Sequence, residues 1–201
     1  MSNDSSTGGV LQPGGAPVLD DLDLDLIFQG VAAQITGLPG AYVRPRWQPK
    51  PPKRPPADVN WCAIGVMTGT PDDGPFIAHQ NTAAVSDPST DVLMRHEDLV
   101  VLASFYGPNA KQFAALLRDG LSVPQNTESL SANMIRFVPQ RVALVGTSEI
   151  VNQQQIRRVD VRLAFRRKIQ RTYAVQNLQG SALQVINDTE HVDFTSTATP
   201  P

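Results

Sequence analysis

Hydrophobic positions along the chain recur with two periods. Between Asp21 and Thr36, Leu24, Ile27, Phe28, Val31 and Ile35 share one face at helical spacing, which predicts an amphipathic helix. Asp20, Asp21 and Asp23 stand where a helix N-terminus favours negative charge, and Gly37 with Pro39 ends the pattern. The Asp–Leu alternation over 20–26 is also compatible with a strand, so the helix start stays open. A second helix is predicted after Gly107-Pro108, a breaker followed by a proline suited to a first helical position. Ala110, Phe113, Ala114 and Leu117 form its apolar face, and Gly120 is placed as its C-terminal cap. Thr127–Ala132 reads as a further helical or irregular piece.

The remaining apolar runs have the length and period of strands. Val59–Thr68 reads as a short buried strand, and Leu99–Tyr106 is apolar on both faces. Phe76–Asn81 and Asp91–His96 read as weaker, more exposed strands around a Ser/Asp/Pro turn. Arg136–Val145 is a strand, and Ile156–Val175 a long one with period two. Val159, Val161, Leu163, Phe165, Ile169 and Tyr173 point one way, and Arg158, Asp160, Arg162, Arg166, Lys168 and Thr172 the other. The expected fold is α+β, two main helices on one face of a mostly antiparallel sheet in a single domain. The expected boundaries are a disordered segment 1–19, a domain 20–187 and a flexible tail 188–201.

Composition narrows the class. With 201 residues, 41% hydrophobic, the chain can build a real core, and a formal net charge of −2 gives no global pull toward nucleic acid or membrane. The single cysteine, Cys62, excludes an intrachain disulfide. No basic, apolar leader opens the sequence and no apolar run is long enough for a bilayer, so a soluble virion or intracellular protein without membrane partners is expected.

Charge is segregated locally. Of 17 Lys and Arg, five lie in Arg44–Arg54 and seven in Arg157–Arg171, whereas the first 25 residues hold five Asp and no base. Residues 44–56 hold six prolines and five bases, which reads as an extended arm rather than core. Such an arm has little chain entropy left to lose on docking, and Trp47 gives it an interface anchor. Recognition of its Pro-x-x-Pro spacing by a peptide-binding module is the competing reading. Arg158, Arg162, Arg166 and Lys168 line one strand face with only Asp160 to offset them. Like charges in a row need compensation. Cross-strand acids, the acidic N-terminal region of another subunit, or passing DNA would each supply it. The candidate interface or DNA-contact residues are therefore Arg44, Arg46, Trp47, Lys53, Arg54, Arg158, Arg162, Arg166 and Lys168.

No constellation reaches a reaction. His79, His96 and His191 are not at metal-ligand spacing from one another or from Cys62, and Cys62 sits in an apolar strand, where free cysteine acts as a small hydrophobe. No nucleophile elbow, Walker loop or dinucleotide fingerprint occurs. Pro71-Asp-Asp-Gly-Pro75 reads as a turn, and His96-Glu97-Asp98 as exposed strand polars. Neither an enzyme, a cofactor nor a metal is expected.

His96-Glu-Asp-Leu-Val-Val-Leu-Ala-Ser-Phe-Tyr-Gly-Pro-Asn-Ala110 resembles the central signature of the phage neck terminator family. Arg157-Arg-Val-Asp-Val-Arg-Leu-Ala-Phe-Arg-Arg-Lys-Ile-Gln-Arg-Thr-Tyr173 is similar to that family's long C-terminal strand. Asp25-Leu-Ile-Phe-Gln-Gly30 and Val43-Arg-Pro-Arg-Trp47 fall in the matching order. The resemblance covers roughly 20–185. It implies a non-catalytic virion subunit assembled in the host cytoplasm, forming a six-fold ring that ends the tail tube. Its implied partners are copies of itself, the tail tube protein and head–tail connector or adaptor proteins, with non-specific contact to genomic DNA in the channel. A monomeric DNA-binding or adaptor protein using the basic face 157–171 is the alternative.

Overall fold

The structure is a computed structural model that describes residues 8–80, 89–151, 153–176, 181–186 and 191–196. Two compact units divide the chain. The larger, Pro17–Pro75 with Arg95–Ile169, carries the three helices and the core.

The first helix, α1, spans Asp21–Thr36 and ends at Gly37 in the left-handed conformation, so the helical reading of 20–26 prevails over the strand. Its buried residues are Leu24, Asp25, Phe28, Val31, Ala32 and Thr36, with Ile27 and Ile35 half-buried. After a short turn, β1 (Val43–Pro45) pairs parallel with β2 (Trp61–Pro71). That pair makes the sheet mixed rather than purely antiparallel. Next in the sheet is β4 (Ser89–Tyr106), antiparallel to β2 with an irregularity between Val66 and Thr68. The order continues β4–β7–β5, with β6 also on β7. Here β5 is Ile135–Phe137, β6 Leu144–Val151 and β7 Gln154–Val175.

Alternation along the strands explains why one face is apolar. Leu99, Val101, Ala103 and Phe105 of β4 and Val159, Val161, Leu163 and Phe165 of β7 are buried and share one core with α1, α2 (Ala110–Gly120) and α3 (Glu128–Ala132). Phe165 sits at its centre, 4.8 Å from Phe28 and 5.5 Å from Phe137 by ring centroids.

Four local expectations are corrected. The two strands read at 91–96 and 99–106 are the single strand β4, because Glu97 and Asp98 keep the extended pairing with Thr70 and Pro71. The strand read at 136–145 is broken into β5 and β6, since Pro139 offers no backbone donor to a ladder. Pro108 precedes α2, whose N-cap is Asn109, instead of opening it. The turn there is made by Gly107 at φ +105°, where a Cβ would stand 2.7 Å from the Val59 carbonyl. Gly120 is the last helical residue and Leu121 caps α2 in the right-handed region. Glycine is required at 120 by packing, because a Cβ would come within 2.4 Å of Ile35 Cγ2.

The smaller unit comprises described residues of 8–16, Phe76–Met94 and 170–196. Within it β3 (Phe76–Gln80) pairs antiparallel with Thr90–Met94. His79 Nδ1 lies 2.7 Å from Asp91 Oδ1 across that ladder, and the Gly14 amide donates to the Thr172 carbonyl at 2.7 Å. The turn read between these strands, 81–88, lies outside the described residues, as do 1–7 of the N-terminal segment. Ser181–Ile186 (β8) pairs antiparallel with His191–Ser196 (β9), a hairpin reaching into the stretch assigned from sequence to a tail from 188. Residues 187–190 and 197–201 of that region are outside the described residues.

Asp25 is the one acid on the inward face of α1. Its carboxylate accepts the Val66 amide at 2.8 Å, serving the β2 backbone where the β2–β4 register shifts. Burial pushes its pKa up, opposed by that amide bond. A raised folded-state value means that ionisation costs stability as pH rises above the unfolded value of 3.8. Asp25→Asn keeps the acceptor without the charge. We expect the variant to be more stable than the parent at pH 7, with the gap closing toward pH 3 in denaturation curves. A constant gap across that range would contradict this account.

Candidate functional site: the proline-rich arm and the basic strand face

Arg44–Trp47 and Arg54 of the segment 44–56 contact their own sheet, whereas Pro49–Lys53 are exposed. Val43 and Pro45 are buried in the parallel pairing with Cys62 and Ile64, and the Arg46 amide donates to the Ile64 carbonyl at 2.8 Å. The expectation of an arm apart from the core is corrected at these positions: alternate side chains of a paired strand face inward. Cutting out 44–56 would therefore damage the fold itself.

The arm covers one end of the outer sheet face. Trp61 and Tyr106, opposite each other on β2 and β4, stack with centroids 4.2 Å apart at 8°. Arg54 lies 4.9 Å over the Tyr106 ring and 5.5 Å over Trp61. Arg44 is 5.8 Å from Trp61, and Arg158 is 5.8 Å from Tyr106. Stacking of guanidinium on these ring faces is attractive in its own right. Glu149 of β6 binds Arg54 at 2.9 Å and approaches Arg158 at 3.9 Å. Arg158 also holds Asp160 at 2.8 Å. Arg46 donates to Ser104 Oγ at 2.6 Å. Burial raises the Tyr106 hydroxyl pKa, with Arg158 pulling the other way.

The structure thus brings Arg44, Arg46, Arg54 and Arg158 together and leaves the other candidates apart. Arg44 also donates to the Lys53 carbonyl at 2.9 Å, while the Lys53 side chain is exposed. Trp47 donates its indole N–H to the Val66 carbonyl at 3.1 Å and remains 57% exposed. Further along β7, Arg166 is paired with Asp72 and Asp98. Acids of the same subunit therefore compensate both cations: Asp160 of the same strand, with Glu149 of β6, for Arg158, and Asp98 of β4 with Asp72 for Arg166. Arg162 and Lys168 have no ion-pair partner among the described residues.

Sequence reading missed Trp61, Ser104, Tyr106 and Glu149 as partners of the arm, since nothing local links them to it. It also missed Arg167, the lone charge at an inward position between Phe165 and Ile169. Its side chain is 9% exposed and binds Glu97 at 2.5 Å and Asp20 at 2.6 Å. The Leu19 carbonyl accepts a third bond at 2.8 Å. Glu97 is thereby part of a half-buried ion network, while His96 and Asp98 are exposed. Cys62 is fully buried and its thiol pKa is pushed far up by burial. Among the described residues, His, Cys, Asp and Glu nowhere gather three together as a metal would need, and no helix is long and apolar enough to cross a membrane.

A family model described as phage neck terminator protein matches residues 25–196. The chain belongs to the phage neck terminator protein family. No individually curated protein matches it. Membership makes it a structural phage protein of the virion neck. The matched span runs from Asp25 in α1 to the end of β9, so the arm and the basic strand lie within it.

Proposed function

We propose that the protein closes into a ring, six subunits in our reading, that ends the tail tube and joins it to the head-side connector. The observation that carries this is the family match over 25–196. A closed ring needs two different surfaces on each subunit, and charge segregation between the acidic start of α1 and the cations of β7 supports such a pairing. The tail tube protein and a connector or adaptor protein are the partners on either side. Bases facing the channel would meet phosphate without reading sequence, and such contact would weaken steeply with salt. The subunit has no catalytic task in this reading.

The test is a phage in which the gene is disabled. Tubes of uncontrolled length that fail to join filled heads are the expected result. Tubes of normal length attached to heads would overturn the proposal.

A further inference from the structure

The outward side of α1 carries features its own fold does not use. Leu22 and Leu26 are 47% and 45% exposed, and with Gly30 they follow one another at i, i+4 and i+8, a single stripe along the helix. Glycine inside a helix is unfavourable relative to alanine. At Gly30 the space where a Cβ would stand is open, with nothing within 4 Å, so intramolecular crowding does not require it. Asp23 stands beside the stripe and Asp21 at its start, and neither has an ion-pair partner among the described residues.

A complementary surface lies on the same unit. Leu99, Val101 and Ala103 face the core, so Val100 and Leu102 face outward, where they are half-buried. On neighbouring β7, Arg162 is exposed on that outer face, with Lys168 farther along it. This patch is apolar at its centre; at its margin Asp98 and Asp160 are taken up by Arg166 and Arg158, which leaves Arg162 and Lys168 as its uncompensated charges, whereas the α1 stripe is apolar at its centre and acidic at its margin.

We propose that the Leu22–Leu26–Gly30 stripe of one copy seats on the outer sheet face around Arg162 of the next copy, with Asp21 and Asp23 meeting Arg162 and Lys168. The contact joins two different surfaces, so it propagates head to tail and closes only as a ring. It rests on the ring reading above and names the surfaces that make the ring. Gly30 gives the incoming sheet room to approach the helix backbone.

Engineered cysteines test this, because native Cys62 is buried and stays silent. Under a mild oxidant, the full-length Leu26→Cys/Arg162→Cys protein is expected to give a disulfide ladder rising to the ring mass. A mixture of the two single variants is expected to stop at dimers. Leu26→Glu should lower association at least tenfold in sedimentation while leaving the melting temperature unchanged. The parent protein is measured in parallel, alone and with tail tubes. If the parent assembles but no ladder forms and Leu26→Glu associates normally, the contact is wrong while the ring stands. If the parent is monomeric in both settings, the ring and the contact fall together. If Arg162→Glu removes salt-sensitive DNA binding and leaves the mass unchanged, the face serves nucleic acid and the contact is overturned.

Discussion

Arg167→Met is expected to lower unfolding stability by about 3 kcal/mol, the scale of breaking a buried charge network by removing one partner. The side chain is 9% exposed, and Glu97 and Asp20, which it holds at 2.5 and 2.6 Å, are 16% and 44% exposed. Methionine fills the volume but leaves Glu97 facing the core edge without a cation and the Leu19 carbonyl without its donor. The same residue ties the chain entering α1 to the middle of β7, so the loss should also loosen the helix start. Substituting Glu97 by methionine as well should recover part of the loss, since a neutral pair leaves no uncompensated buried charge. Denaturant midpoints for both variants check this, with Arg166→Ala as comparison. Arg166 is 44% exposed, and an exposed pair contributes at most about 1 kcal/mol. Equal losses at 166 and 167 would contradict the assignment.

Phe165→Ala is the other large loss, expected at about 3–5 kcal/mol from lost burial and the cavity left behind. Phe165 is 1% exposed and touches one ring from α1 and one from β5. Tilted aromatic pairs contribute beyond area alone. Domains are stable by only about 5–15 kcal/mol, so the variant should lie near the edge of folding. Phe165→Leu keeps most of the volume and should cost well under half as much. Urea unfolding of the two variants separates them; near-equal values would mean that the aromatic cluster does not hold α1 on the sheet.

Period and punctuation made much of this fold legible. The inward face and the end of α1 follow from five apolar residues and Gly37, though not its start, and the inward side of β7 follows from strict alternation. What failed depends on neighbours in space. No rule of local sequence separates Gly120 as a cap from Gly120 as a packing contact with Ile35, or shows that Glu97 and Asp98 continue a strand. The arm illustrates the same limit. Its prolines read as an extended arm rather than core, yet Arg46 finds Ser104 and Arg54 finds Glu149 far along the chain. The row of bases on β7 was visible, as was Asp160 beside Arg158, but which of the others stay uncompensated depended on acids from β4 and the 71–75 turn. Arg167 could have been found: a charge at an inward register position must have partners, and the alternation marked that position.

Self-assembly into a ring can be read from the solution mass of the purified protein across a concentration series, with electron-microscope images of the same fractions and of tail tubes mixed with the protein. Closed rings of about six subunits, free or seated on tube ends, are expected. A monomer at every concentration, with bare tube ends, would contradict it.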